Sequence, residues 1–172
     1  MTAWTGDFAE SNRRSVLLIS FEIPGEPVPQ GRPRVTKTGV TYYDSKTKEY
    51  RELVKRCATI AQTGRESLTG ALALVVDCEF PVPESWPKYK RQEALNGQWH
   101  IRRKDVDNVV KAVSDSCNGI IYDDDSQIAV VIGTKSYSSE PKTKVKVIEL
   151  NEIQNPRWLV ANLNRVLEAA TR

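Results

Sequence analysis

Val16 to Ile23 reads as a first strand, an apolar run that passes into apolar–polar alternation from Ile19 to Ile23. The next stretch, with Pro24, Gly25, Pro27, Pro29, Gly31 and Pro33, is too rich in Pro and Gly for regular structure and is expected to be a loop. Tyr50, Leu53, Val54, Cys57, Ile60 and Ala61 then recur at three- and four-residue intervals. That spacing predicts a helix capped by Asp44 or Ser45 and ending near Gly64. Ala71 to Phe80 reads as a second strand closed by Pro81 and Pro83, and Pro87 starts a short basic helix through Leu95 that Gly97 ends. Val106, Val109, Val110, Val113 and Cys117 form the next helical stripe, with Asp107 or Asn108 placed to cap it and Asn118-Gly119 to stop it. Gln127 to Tyr137 and Thr143 to Leu150 are two further strands joined by a turn at Ser138 to Pro141. A last helix begins at Asn155-Pro156, with Leu159, Leu163, Val166, Leu167 and Ala170 on one face. The order β-α-β-α-α-β-β-α predicts an α/β (α+β) fold, one domain with a mixed sheet flanked by helices. It spans 15–151, between a mobile segment at 1–14 and a C-terminal helix in 152–172.

Composition narrows the chemistry. The chain has 172 residues, 40% of them hydrophobic, enough to bury a core without disulfides or a structural metal. Its apolar runs fall far short of the roughly 20 residues that a membrane-spanning helix needs. Met1 to Arg14 lacks a continuous hydrophobic segment, so a secretory signal is not expected and a reducing, cytoplasmic location is. Cys57, Cys78 and Cys117 form no Cys-x-x-Cys pair and have only His100 to help them, which argues against a closed zinc site. They are expected to be small buried apolar residues. A Ser-His-Asp or Cys-His hydrolase would rest on His100 alone.

The formal net charge is only +3, but the charges are segregated. Residues 30–56 and 85–104 each carry a net of +5, and residues 105–125 carry −5. Within the acidic stretch, Asp105 and Asp107 converge if they precede the helix, because residues two apart in an extended segment point the same way. Lys111 lies one helical turn beyond Asp107. Asp123-Asp124-Asp125 follow after the helix and a Gly119 turn, and the chain is expected to double back there and bring the two clusters together. Carboxylates gathered within a few Å repel one another unless a cation is present. Hard Mg²⁺ takes one or two carboxylates plus waters and substrate phosphate, and it activates water for attack on phosphorus. A plainer account stays open: Asp107 is an N-cap, Lys111 pairs along a solvated face, and 123–125 is a polar turn. An EF-hand does not fit, since a loop begun at Asp123 has no Gly at its sixth position and no Glu at its twelfth.

The string Asp105-Val106-Asp107-Asn108-Val109-Val110-Lys111-Ala112-Val113-Ser114-Asp115, then Asn118-Gly119-Ile120-Ile121-Tyr122 and Asp124-Asp125-Ser126-Gln127-Ile128, resembles the signature of RusA-type Holliday-junction resolvases. Pro27-Val28-Pro29-Gln30-Gly31-Arg32-Pro33-Arg34 is similar to the opening segment of many phage and prophage members. The resemblance spans roughly Ile19 to Glu149. It implies a homodimeric endonuclease that depends on Mg²⁺, with Mn²⁺ as a substitute, and that cuts four-way DNA junctions in recombination and repair. By motif match Asp105, Asp107 and Asp125 are its catalytic, metal-binding carboxylates, with Asp124 a further contributor and Lys111 the catalytic lysine. Lys104 departs from the pattern, standing where many members have a proline.

Junction phosphates are neutralised by Lys and Arg with release of counterions. Arg32, Arg34, Lys88, Lys90, Arg91, Arg102 and Arg103 are therefore the candidate DNA contacts. Trp86, Tyr89 and Trp99 lie among them and are expected to cover the core, with stacking on unpaired bases as the alternative. Two other functions remain open from the sequence: a general metal-dependent nuclease on branched or flap DNA, and a DNA-binding protein without catalysis.

Overall fold

The computed structural model describes residues 18–36, 38–39, 41–101 and 103–150. Ten elements follow in order: β1 (Leu18–Pro24), β2 (Arg34–Val35), β3 (Thr41–Tyr42), α1 (Ser45–Gln62), β4 (Leu72–Pro81), α2 (Lys88–Leu95), α3 (Val106–Cys117), a 3-10 turn (Asp125–Gln127), β5 (Ile128–Ser138) and β6 (Lys142–Glu149). The main sheet has the order β1-β6-β4-β5. Its β4–β5 pair is parallel and the other pairs are antiparallel. Among the described residues a mixed sheet and three helices make an α+β single domain.

Side-chain alternation decides which face of the sheet is covered. Leu72, Leu74, Val76, Cys78 and Phe80 of β4 point to one side and are all buried. Ile19 and Ile23 of β1 and Val145 and Val147 of β6 join them. Onto this face α1 brings Tyr50, Val54 and Ala58, and α3 brings Val109, Val110, Ala112, Val113 and Cys117. A buried hydrogen bond of 2.7 Å between the Tyr50 and Thr143 hydroxyls ties α1 to β6. The opposite face is mixed. Ala73, Ile148 and Leu150 make a small apolar cluster there. Further along, the Thr134 hydroxyl donates to Asp77 at 2.7 Å, and Lys144 and Lys142 pair with Glu79 and Glu22.

Two elements depart from expectation. The segment 24–43 is not wholly irregular, because Arg34–Val35 pairs with Thr41–Tyr42 about a turn at Gly39, whose φ of 81° suits glycine. Second, Gln127 does not begin β5; it closes the 3-10 turn that precedes it. The N-terminal segment at 1–14 and the helix expected in 152–172 lie outside the described residues. Among those residues no helix is long and apolar enough to cross a membrane.

Candidate active site

Helix α3 holds the first acidic group at its N-terminal end. Asp105 is the N-cap residue, with extended backbone (φ −75°, ψ 129°), so Asp105 precedes the helix while Asp107 lies in its first turn. An N-cap aspartate ordinarily accepts a hydrogen bond from the second or third helical N–H. The Asp105 side chain makes no such bond, and it is exposed, as are Asp107 and Lys111. Its oxygens therefore face solvent while the helix start is held by other means.

Those means are visible around Lys104. Its φ of 143° is the one positive value at a non-glycine among the described residues, a conformation that costs about 1–3 kcal/mol. Three contacts surround it, one of them to the backbone. The Lys135 ammonium on β5 donates to the Lys104 carbonyl at 2.9 Å. The Lys104 ammonium pairs with Glu26 and lies 5.2 Å from the centre of the Phe80 ring. Next to this junction, the amide of Gln30 donates to the carbonyl of Asn108 at 2.9 Å. That bond anchors the Pro-rich loop on the first turn of α3 and brings exposed Arg32 to the same end of the molecule.

The second acidic group sits elsewhere. Tyr122 folds back so that its hydroxyl donates to the Ser114 carbonyl at 3.0 Å. The 3-10 turn then feeds β5, which runs antiparallel to α3: Gly133 meets Val106 and Val110, and Lys135 reaches Lys104. From Ile128 to Lys135 is roughly 23 Å of strand. Asp105 and Asp107 thus stand at one end of α3 and Asp123 to Asp125 at the other. The expected meeting of the two clusters does not occur within one chain, because the short turn after α3 reverses the backbone and α3's own length separates them. Among the described residues no three His, Cys, Asp or Glu side chains gather closely enough to hold a metal ion.

The three consecutive aspartates also differ. Asp124 accepts from the Ser126 amide at 2.9 Å, and Gln127 returns the bond by accepting from the amides of Asp123 and Asp124 at 3.0 and 3.1 Å. The Gln127 amide also donates to Leu68 and Gly70 carbonyls, fastening the turn to the chain ahead of β4. Hydrogen bonds from Ser126, side chain and backbone, hold the Asp124 carboxyl below its ordinary value. Asp124 is thus engaged as a cap, and Asp125 beside it is exposed.

The basic residues cluster toward the Asp105 end. Lys88, Lys90 and Arg91 lie on α2, with the Lys90 ammonium 4.4 Å from the centre of the Trp86 ring. Trp86 in turn packs on Tyr137 of β5 at 5.4 Å. Exposed Arg103 and half-buried Lys104 line an open cleft of about 810 Å³ against Pro81, Val82 and Pro83. The side chain of Arg34 and the whole of Arg102 lie outside what is described. His100 is buried, 4.3 Å from Phe80 and 4.8 Å from Tyr137 ring to ring, a core position. Trp86 covers the core as expected, but Tyr89 and Trp99 do not: they are 68% and 70% exposed. Trp99 and Ile101 flank buried His100 in an extended segment bridged to Ser136, so alternation turns both outward.

Residues 24–148 match the family model for endodeoxyribonuclease RusA. The chain belongs to the RusA endodeoxyribonuclease family. It is also 36% identical over 141 residues to YqaN, an uncharacterized protein of Bacillus subtilis (strain 168), covering 77% of this chain and 97% of that protein. The matched span contains both acidic groups, Lys111, α2 and the Lys104 junction. Sequence reasoning missed Lys135, which donates to the Lys104 carbonyl, and Gln127, which accepts from the Asp123 and Asp124 amides; their only local signal was a polar side chain within or bordering an apolar strand.

Proposed function

We propose that the chain is a homodimeric, Mg²⁺-dependent endonuclease that resolves four-way DNA junctions in recombination and repair, in the cytoplasm of a bacterium or a phage-infected bacterial host. The observation that carries this reading is the N-cap Asp105, whose carboxylate is left out of the cap and exposed beside Asp107. Hard, exposed carboxylate oxygens suit Mg²⁺, which takes one or two of them plus waters and phosphate. Asp105 and Asp107 would hold it, with Asp125 as the third carboxylate. When bound, such an ion activates water and neutralises charge that builds at phosphorus. Lys111, exposed one turn along the helix, adds positive charge toward the phosphate oxygens. Arg32, Arg103 and the α2 cations bind the backbone on either side.

The separation of Asp125 from Asp105 within one chain favours a two-fold dimer. β5 is an edge strand, and Val131 on it is 55% exposed on the helix-bearing face. A two-fold axis beside Val131 reverses the copies end to end. Asp125 of the partner subunit then approaches the Asp105 end, and two sites form that can cut symmetry-related strands.

A labelled four-way junction incubated with Mg²⁺ or EDTA tests the activity. Paired, metal-dependent nicks are expected, and their absence sinks the proposal. Equal cutting of a flap or plain duplex would replace junction selectivity with general nuclease action. Asp107→Asn should abolish cleavage and keep junction binding in a gel shift.

A further inference from the structure

We propose that Lys135 is a positioning residue for Asp105, acting through the carbonyl of Lys104; the inference rests on the metal-dependent nuclease reading. Lys135 is fixed at both ends. Its strand pairs with Cys78 of β4 on the side that carries the helices, and its own carbonyl accepts from the His100 amide at 3.1 Å. Its half-buried side chain reaches the start of α3, where the ammonium donates to the Lys104 carbonyl at 2.9 Å.

That carbonyl belongs to the peptide bond joining Lys104 to Asp105. A clamp on it sets the orientation of the peptide plane, and the peptide plane sets the direction in which the Asp105 side chain leaves the backbone. The clamp matters here for two reasons. Lys104 is held at a φ of 143° that a lysine does not adopt unaided. Asp105 has no cap bond of its own to fix its side chain. Without Lys135 the junction is free to relax toward ordinary backbone, and the Asp105 carboxylate moves with it. Glu26 restrains only the flexible end of the Lys104 side chain, so it cannot replace a bond made to the peptide itself.

The test compares the full chain with Lys135→Met and Lys135→Arg. It measures Mn²⁺ binding by electron paramagnetic resonance without DNA, and the Mg²⁺ concentration for half-maximal junction cleavage. Lys135→Met should keep its thermal midpoint and junction affinity close to wild type. Its metal affinity should fall about 10- to 100-fold, as for other residues that orient metal ligands, and Lys135→Arg should restore most of the loss. Equal Mn²⁺ affinity and equal Mg²⁺ dependence in wild type and Lys135→Met would overturn the proposal alone. A wild-type protein that neither binds Mn²⁺ nor cleaves with Mg²⁺ overturns the nuclease reading and this inference together. Should Lys135→Met fold poorly, the same comparison is made in a Lys104→Gly background, because glycine takes a positive φ without a clamp. There Lys135→Met should lower metal affinity by less than about 10-fold; a loss of about 10- to 100-fold in that background would overturn the proposal.

Discussion

Two aspartates at equivalent positions behave differently in this protein, and local hydrogen bonding decides which is structural. Asp124 and Asp105 are both N-cap residues. Asp124 closes a reciprocal capping box with Gln127, whereas Asp105 leaves its own helix uncapped by a side chain. The cysteines show the same dependence on surroundings. Burial pushes the Cys78 and Cys117 thiols up to about 12, and it also raises that of half-buried Cys57. Thiolate is the reactive form, and at pH 8 a thiol of that kind is ionised only to about one part in 10⁴. Iodoacetamide at pH 8 should therefore label Cys57 in the native protein, with Cys78 and Cys117 labelled only after denaturation. Peptide mass spectrometry checks this, and rapid native labelling of Cys78 or Cys117 would contradict their burial.

At the level of elements, the contact between α3 and β5 fixes the height of the active-site helix over the sheet. A Cβ at Gly133 would stand 2.9 Å from Val106 Cγ2 and 3.1 Å from Val110 Cγ2. Gly133→Ala thus overpacks a seam one turn from Asp107, and it should destabilise by about 1–3 kcal/mol. Val106→Ala in the same chain removes the closest atom and should recover much of that loss. The four urea-unfolding midpoints of this cycle measure the coupling, and a neutral Gly133→Ala would show that the helix does not sit so close. Elements of this kind were legible in the sequence because their signal is local. The Val106–Cys117 stripe gives the body of α3, although its N-cap is Asp105 rather than the expected Asp107 or Asn108, and the run from Leu72 to Phe80 gives most of β4. The two-residue strands β2 and β3 were not legible, being too short to show a period; their pairing depends on the path taken around Gly39. The residue types of the candidate site were legible too, in Asp105, Asp107, Lys111 and Asp125. Their arrangement was not. Whether Asp125 returns to Asp105 depends on the direction of β5 relative to α3, and that is set by β5 pairing in parallel with β4, a tertiary fact.

For the whole molecule, charge segregation and the separation of the acidic groups lead to the same geometry. The basic α2, Arg103 and Arg32 lie near Asp105, and the second acidic group lies a helix length away. The proposed two-fold dimer, with Asp125 of the partner subunit at Asp105, would gather Asp105, Asp107, Lys111 and Asp125 into one site, twice. Mixing two inactive variants tests this directly. In a homodimer of Asp107→Asn both sites lack that residue, and in a homodimer of Asp125→Asn both lack the other. If each site draws on two chains, one of the two sites in a mixed dimer holds both defects and the other holds none. Co-refolding equal amounts should therefore restore cleavage to about a quarter of the wild-type number of working sites, assuming random pairing of copies. The restored activity should nick one strand per junction rather than cut a symmetric pair, which a denaturing gel with each strand labelled in turn resolves. If both aspartates served a site within one chain, every site in the mixture would carry one defect, and the co-refolded protein would stay as inactive as its parents.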